Sequence, residues 1–142
     1  SRFIKRDKMS EDIVRQTINN NTNLNLKKPK QKYLQFDAYD KNYIVEIKVR
    51  NTHYDKQIIE FSKYAFNSKY AKINDQIFVY AVAINNIIYI FNISKLENEY
   101  DFNWEWRKLP ATTEFENNDN MLKYVGYLDI KDAVTEIKYD KI

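Results

Sequence analysis

The chain has 142 residues with no cysteine, one histidine (His53), one glycine (Gly126) and a net charge of +3. That length suits a single domain able to bury about 68–70% of its unfolded surface. The missing residue types exclude disulfide frameworks, thiolate or histidine-rich metal sites, Gly-rich phosphate loops and dinucleotide fingerprints.

Residues 1–32 hold nine Lys/Arg against three Asp/Glu, a local charge of +6, whereas residues 33–142 hold fourteen against seventeen, or −3. Basic runs such as Lys27-Lys28-Pro29-Lys30 suit either phosphate contact or a solvated arm. Ser10 is a good N-cap, Glu11 and Asp12 suit the positive end of a helix dipole, and Ile13, Val14 and Ile18 make a partial apolar stripe, so a short helix is expected over residues 10–20. The Asn-rich stretch that follows, up to Pro29, breaks it.

Residues 32–50 read as a β-hairpin. Leu34, Phe36 and Ala38 alternate with Gln35, Asp37 and Tyr39, then Asp40-Lys41-Asn42 supplies turn residues, and Tyr43 to Arg50 alternates again. Side chains two apart share a strand face, so Glu46 and Lys48 project together while Tyr43, Val45, Ile47 and Val49 fill the other, core-facing side. If Asp40 pairs with Tyr43, or Tyr39 with Ile44, Asp37 lies opposite Glu46 with Cβ atoms about 4.5–5.5 Å apart. A three-residue loop over 40–42 would slip the register by one and separate them.

Beyond the hairpin, residues 54–66 place Ile58, Phe61, Ser62 and Ala65 at helical spacing, which predicts an amphipathic helix. Residues 76–84 and 87–93 predict two strands joined by a tight turn at Asn85-Asn86. Together with that turn, their length is too short for a membrane span, and a soluble, intracellular, cytoplasmic protein is expected, with no membrane partner. Beyond residue 94 the chain turns acidic. Phe102, Trp104 and Trp106 suggest an edge strand, residues 124–130 another, and Leu109 to Thr113 an exposed loop. Asp129 and Asp132 fit a strand end running into a helix N-cap better than a second acidic site. No repeat or linker divides the chain, so residues 1–142 are expected to form one domain with its core over about 10–93 and a C-terminal elaboration over about 94–142.

The pattern Asp37-x8-Glu46-Ile47-Lys48, on a hairpin preceded by an acidic helix and followed by an amphipathic one, resembles the PD-(D/E)xK nuclease superfamily over roughly residues 10–93. The resemblance implies an α/β, restriction-endonuclease-like fold: a mixed β-sheet flanked by helices with an α-β-β-α-β-β core. It implies Mg²⁺ or Mn²⁺ held by Asp37, Glu46, the backbone carbonyl of Ile47 and Glu11, with Asp12 the rival to Glu11, and Lys48 as the catalytic lysine. Phe36 stands where the motif name has proline. Gln57 is followed by Phe61 where an exonuclease branch carries Gln-x-x-x-Tyr, which favours an endonuclease. Elementary chemistry agrees with the metal: with thiolate and histidine sites gone, oxygen ligands remain, and these suit Mg²⁺, Mn²⁺ or Ca²⁺.

The expected activity is metal-dependent hydrolysis of phosphodiester bonds in DNA, favoured over RNA, by a homodimer or a subunit of a larger complex. The alternative is a nuclease-fold nucleic-acid-binding or structural module without turnover. Arg50, Gln57, His53, Tyr54 and Lys56 are candidate substrate contacts, each with a plainer structural role available. Richness in Asn, Lys, Ile and Tyr suggests an AT-rich bacterial or phage genome.

Overall fold

A computed structural model describes residues 10–110 and 120–140. Helix α1 (Glu11–Asn21) starts where Ser10 accepts a hydrogen bond from the Ile13 amide at 3.2 Å, and it buries Val14 and Ile18. The chain then folds back on the helix: Asn19 donates to the Leu26 carbonyl at 3.0 Å and accepts from the Leu26 amide at 2.8 Å. Strands β1 (Ala38–Tyr39) and β2 (Tyr43–Arg50) pair antiparallel in the register Tyr39↔Ile44. Asp40 sets that register locally, because its carboxylate accepts from the amides of both Asn42 and Tyr43 at 2.8 Å and its own amide donates to the Tyr43 carbonyl.

The first strand of the hairpin is shorter than expected. Residues 32–37 stay irregular because Phe36 turns its ring into the core against Tyr70, at 5.0 Å, and Asp37 leaves the ladder to bond along the edge of β2. A larger departure follows at residues 54–66. Strand β3 (Lys56–Glu60) comes first, and helix α2 (Phe61–Ile73) begins only after it. The alternation of buried Gln57 and Ile59 with more exposed neighbours has period two, and pairing with a distant strand outweighs the helical spacing.

Strand β4 (Ile77–Ile84) lies parallel to β2 in the register Glu46↔Tyr80, and β5 (Ile87–Asn92) returns antiparallel to it. The turn between them uses Asn85 in the left-handed region at φ 56°, which asparagine tolerates better than most residues. After the single turn α3 (Ile93–Leu96) come β6 (Glu105–Pro110), β7 (Asn120–Asp129), a 3₁₀ turn over Ile130–Asp132 and β8 (Thr135–Lys138). Asp129 caps that turn by accepting from the Lys131 amide, as its position at a strand end predicts.

The result is a mixed α/β protein with a five-stranded sheet in the order β1-β2-β4-β5-β8 and a three-stranded antiparallel sheet β3-β7-β6. The C-terminal region is therefore not an appendage to one sheet. It supplies two of the three strands of a second sheet, while Phe102 and Trp104 lie ahead of β6 and only Trp106 is on it. Of the expected Leu109–Thr113 loop, Leu109 and Pro110 end β6, and residues 111–113 lie outside the described residues. Among the described residues no helix is long and apolar enough to cross a membrane.

Both faces of β2 are covered. Val45 and Ile47 pack with Val14, Ile18 and Leu26 on the α1 side, whereas Ile44 packs with Tyr80, Ile59, Ala71 and Leu128 under α2 and the second sheet. The face that carries Glu46 is thus roofed by protein.

Candidate functional site

Asp37 sits at the edge of β2 one step beyond Ala38, the last paired residue of β1, so it departs from the regular ladder that would have set it opposite Glu46. Its amide donates to the Val45 carbonyl at 2.8 Å and its Oδ2 accepts from the Ile47 amide at 2.7 Å. A charge-assisted bond of that length fixes the orientation of the carboxylate. The Ile47 carbonyl shares the edge of its own N–H, because both groups of a strand residue point to the same side.

From this edge Asp37 meets one carboxyl from each face of the sheet. Glu11, in the first turn of α1, comes from one side. Burial raises its pKa, and the adjoining Asp37 adds to the rise through its charge and a hydrogen bond to the protonated carboxyl. Glu46 comes from the other side and is 1% exposed, with Oε1 lacking any hydrogen-bond partner. Burial pushes its pKa up to about 7, against the pull of Lys48 and Lys63 and with a further push from Asp37. An unpartnered carboxylate oxygen in such a place is costly unless a proton or cation meets it.

Lys48 shares the Glu46 face of β2. Burial lowers its pKa and the neighbouring Lys63 ammonium lowers it further, while Glu46 and Glu60 work in the opposite direction. Strand β3 runs across this face, bringing Glu60 near Lys48 and Ile58 near Arg50. Three lysines surround Glu60: the Nζ of Lys123 is 3.1 Å from Oε1, and those of Lys63 and Lys48 are 3.8 and 4.0 Å from Oε2. Burial opposes the Glu60 charge, but the Lys123 hydrogen bond and the three ammonium charges hold its carboxyl below the ordinary range. Lys63 also resists the effect of its burial, and Glu46, Lys48 and Glu60 hold it above the usual lysine value.

The other candidates are placed differently. Arg50 continues the Lys48 face, yet its Nη2 donates to the Ile58 carbonyl at 3.3 Å, where the Tyr80 hydroxyl also donates at 2.8 Å, so it locks β3 to β2. Gln57 is on β3 and not on a helix. It is buried, and its Nε2 donates to the Tyr54 carbonyl at 2.6 Å. His53 bonds the Tyr89 hydroxyl at 3.1 Å, two strands away from β2. Tyr54 is exposed, and Lys56 pairs with Asp129 at the end of β3 remote from Glu60. None of these last four joins the cluster. Asp12 is exposed and paired with Arg15 at 2.8 Å, so the α1 carboxyl at Asp37 is that of Glu11.

Glu60 and Lys123 are residues that pattern reading did not single out. Glu60 carried a weak signal, being three residues before Lys63 in sequence, but nothing local links Lys123 to residue 60. The donor set of Asp37, Glu46, Glu11 and the Ile47 carbonyl is all oxygen, and with the orphaned Glu46 Oε1 it fits a hard divalent cation. Among the described residues no three Asp, Glu or His side chains converge as a ready-made cage. The chain matches no protein-family model and no curated protein.

Proposed function

We propose that this protein is a divalent-metal-dependent nuclease with a restriction-endonuclease-like core, acting as an endonuclease on DNA. The observation that carries the reading is the buried Glu46 oxygen that no protein donor satisfies, on the strand face it shares with Lys48, with Asp37 acting electrostatically on both Glu46 and Glu11. Surface ion pairs give no reason for burying an unpartnered Glu at 1% exposure.

In this reading Asp37, Glu46, Glu11 and the Ile47 carbonyl would hold Mg²⁺ or Mn²⁺. The ion supplies neutralisation of charge on the phosphate oxygens and activation of water near neutral pH. Asp37 orients the site, since its bond to the Ile47 amide holds one oxygen of its carboxylate in place. Lys48 exchanges a proton with the attacking water, a task suited to an ammonium whose pKa burial and Lys63 have lowered. The roof of α2 and the second sheet excludes bulk water from Glu46 and strengthens its electrostatic interactions.

The test is nicking of single-stranded, duplex, branched and RNA substrates with Mg²⁺ or Mn²⁺, on wild type and Asp37→Asn. Asn at 37 can still accept from the Ile47 amide, so the fold should hold while cleavage disappears. A thermal shift provides a second readout: Mn²⁺ should raise the melting temperature of wild type and leave Asp37→Asn unmoved. A second reading, a binding module without turnover, draws on the lack of a ready-made carboxylate cage among the described residues. It predicts binding of nucleic acid with no metal-dependent cleavage by wild type.

A further inference from the structure

We infer that Lys48, Lys63 and Lys123 form a seat for a backbone phosphate of the nucleic acid, and that Glu60 fills this seat with its own carboxylate until substrate arrives. The inference rests on the nuclease reading and names further substrate-binding groups within that site. Three ammonium groups from β2, α2 and β7 lie within 4.0 Å of a single carboxylate. Glu60 is the one carboxylate within ion-pair distance of all three, while Glu46 also acts on Lys48 and Lys63 and the Lys63 charge acts against that of Lys48.

Long lysine side chains normally relieve such repulsion by swinging into water, which costs them nothing on an exposed surface. Here all three converge while their side chains keep 23–32% exposure, and Glu60 keeps 22%. The cluster is therefore sheltered yet open to a ligand. Lysine is a compact point charge well suited to phosphate oxygens, and a phosphodiester carries the same single charge as a carboxylate with more acceptor atoms. The carboxylate holds the ammonium groups in place, and a phosphate that displaces it inherits a site already assembled. Lys123 comes from the second sheet, so binding ties that sheet to the catalytic strand.

The alternative is that the four groups only staple the two sheets together. Fluorescence anisotropy of a short fluorescein-labelled DNA duplex and its RNA counterpart separates the two, measured in EDTA and again in Ca²⁺ over a range of salt. Glu60→Gln removes the competing charge and should bind about three- to tenfold more tightly, with a steeper salt dependence. Glu136→Gln, an exposed carboxylate on β8 at the far edge of the five-stranded sheet, controls for net charge and should change affinity less than about twofold.

Lys123→Gln should weaken binding and reduce the salt slope by about 0.7–0.9, the share of one phosphate contact. If wild type binds and nicks DNA while Glu60→Gln binds no better than Glu136→Gln and Lys123→Gln keeps the wild-type slope, the seat is wrong and the nuclease reading stands. If wild type binds no nucleic acid, the nuclease reading fails and the seat with it. Should Glu60→Gln fail to fold, the Lys123→Gln slope alone decides.

Discussion

Replacing Glu46 by Gln should make the metal-free protein more stable at neutral and alkaline pH while abolishing metal-dependent cleavage. Glu46 is 1% exposed, its Oε1 has no partner, and burial raises its pKa from 4.5 to about 7. The unfolded chain releases this proton near pH 4.5, whereas the folded protein holds it up to about 7. Between those values the folded state binds more protons than the unfolded one, so stability falls as pH rises through the window. Each pKa unit is worth about 1.36 kcal/mol, which makes the full loss on the order of 3 kcal/mol above pH 8. Gln has nearly the same shape and no charge to bury, so it should recover most of that.

Urea unfolding in EDTA across pH 4 to 8.5, followed by circular dichroism, measures the effect. The two proteins should be nearly equal at the acid end and diverge as pH rises, reaching a difference in unfolding free energy on the order of 3 kcal/mol at the alkaline end. Parallel stability curves, or a Gln variant less stable than wild type at pH 8, would show that Glu46 is satisfied as an ion and would remove the main support for a cation site.

Lys48→Ala should abolish cleavage and leave folding intact, because the ammonium pays a burial penalty and its ion pair to Glu60 is long at 4.0 Å; near-wild-type nicking would refute its role. Gly126→Ala should destabilise by about 1–3 kcal/mol in chemical denaturation. An added Cβ would stand 2.8 Å from Phe102 Cβ and from the Trp104 ring, both packed against β7, and an unchanged midpoint would mean that this segment yields easily. Ser10→Ala should cost about 1 kcal/mol through loss of the α1 cap, and by loosening the helix that carries Glu11 it should also lower metal affinity, which a manganese titration followed by thermal shift reads directly.

What could be read from the chain alone was what neighbouring residues decide. Ser10 caps α1, Asn85 allows a tight turn, and Asp40-Lys41-Asn42 marks the hairpin turn, whose register the sequence left open between two loop lengths and the Asp40 carboxylate decides in favour of Tyr39 with Ile44. The shared face of Glu46 and Lys48 follows from the period of a strand. Tertiary structure decided the rest. Residues 56–60 have a helix-like spacing, but pairing of Lys56 with Asp129 and of Glu60 with Val125 makes them a strand, and that partner lies far along the chain. The same pairing brings Lys123 to Glu60 and roofs the Glu46 face, turning an expected open strand face into a buried one. Turns and caps depend on hydrogen bonds between residues a few positions apart, which a sequence displays directly. Burial, and with it the pKa of Glu46 and the crowding of three lysines, depends on which distant segments pack together, because desolvation and Coulomb energy are set by distance in space.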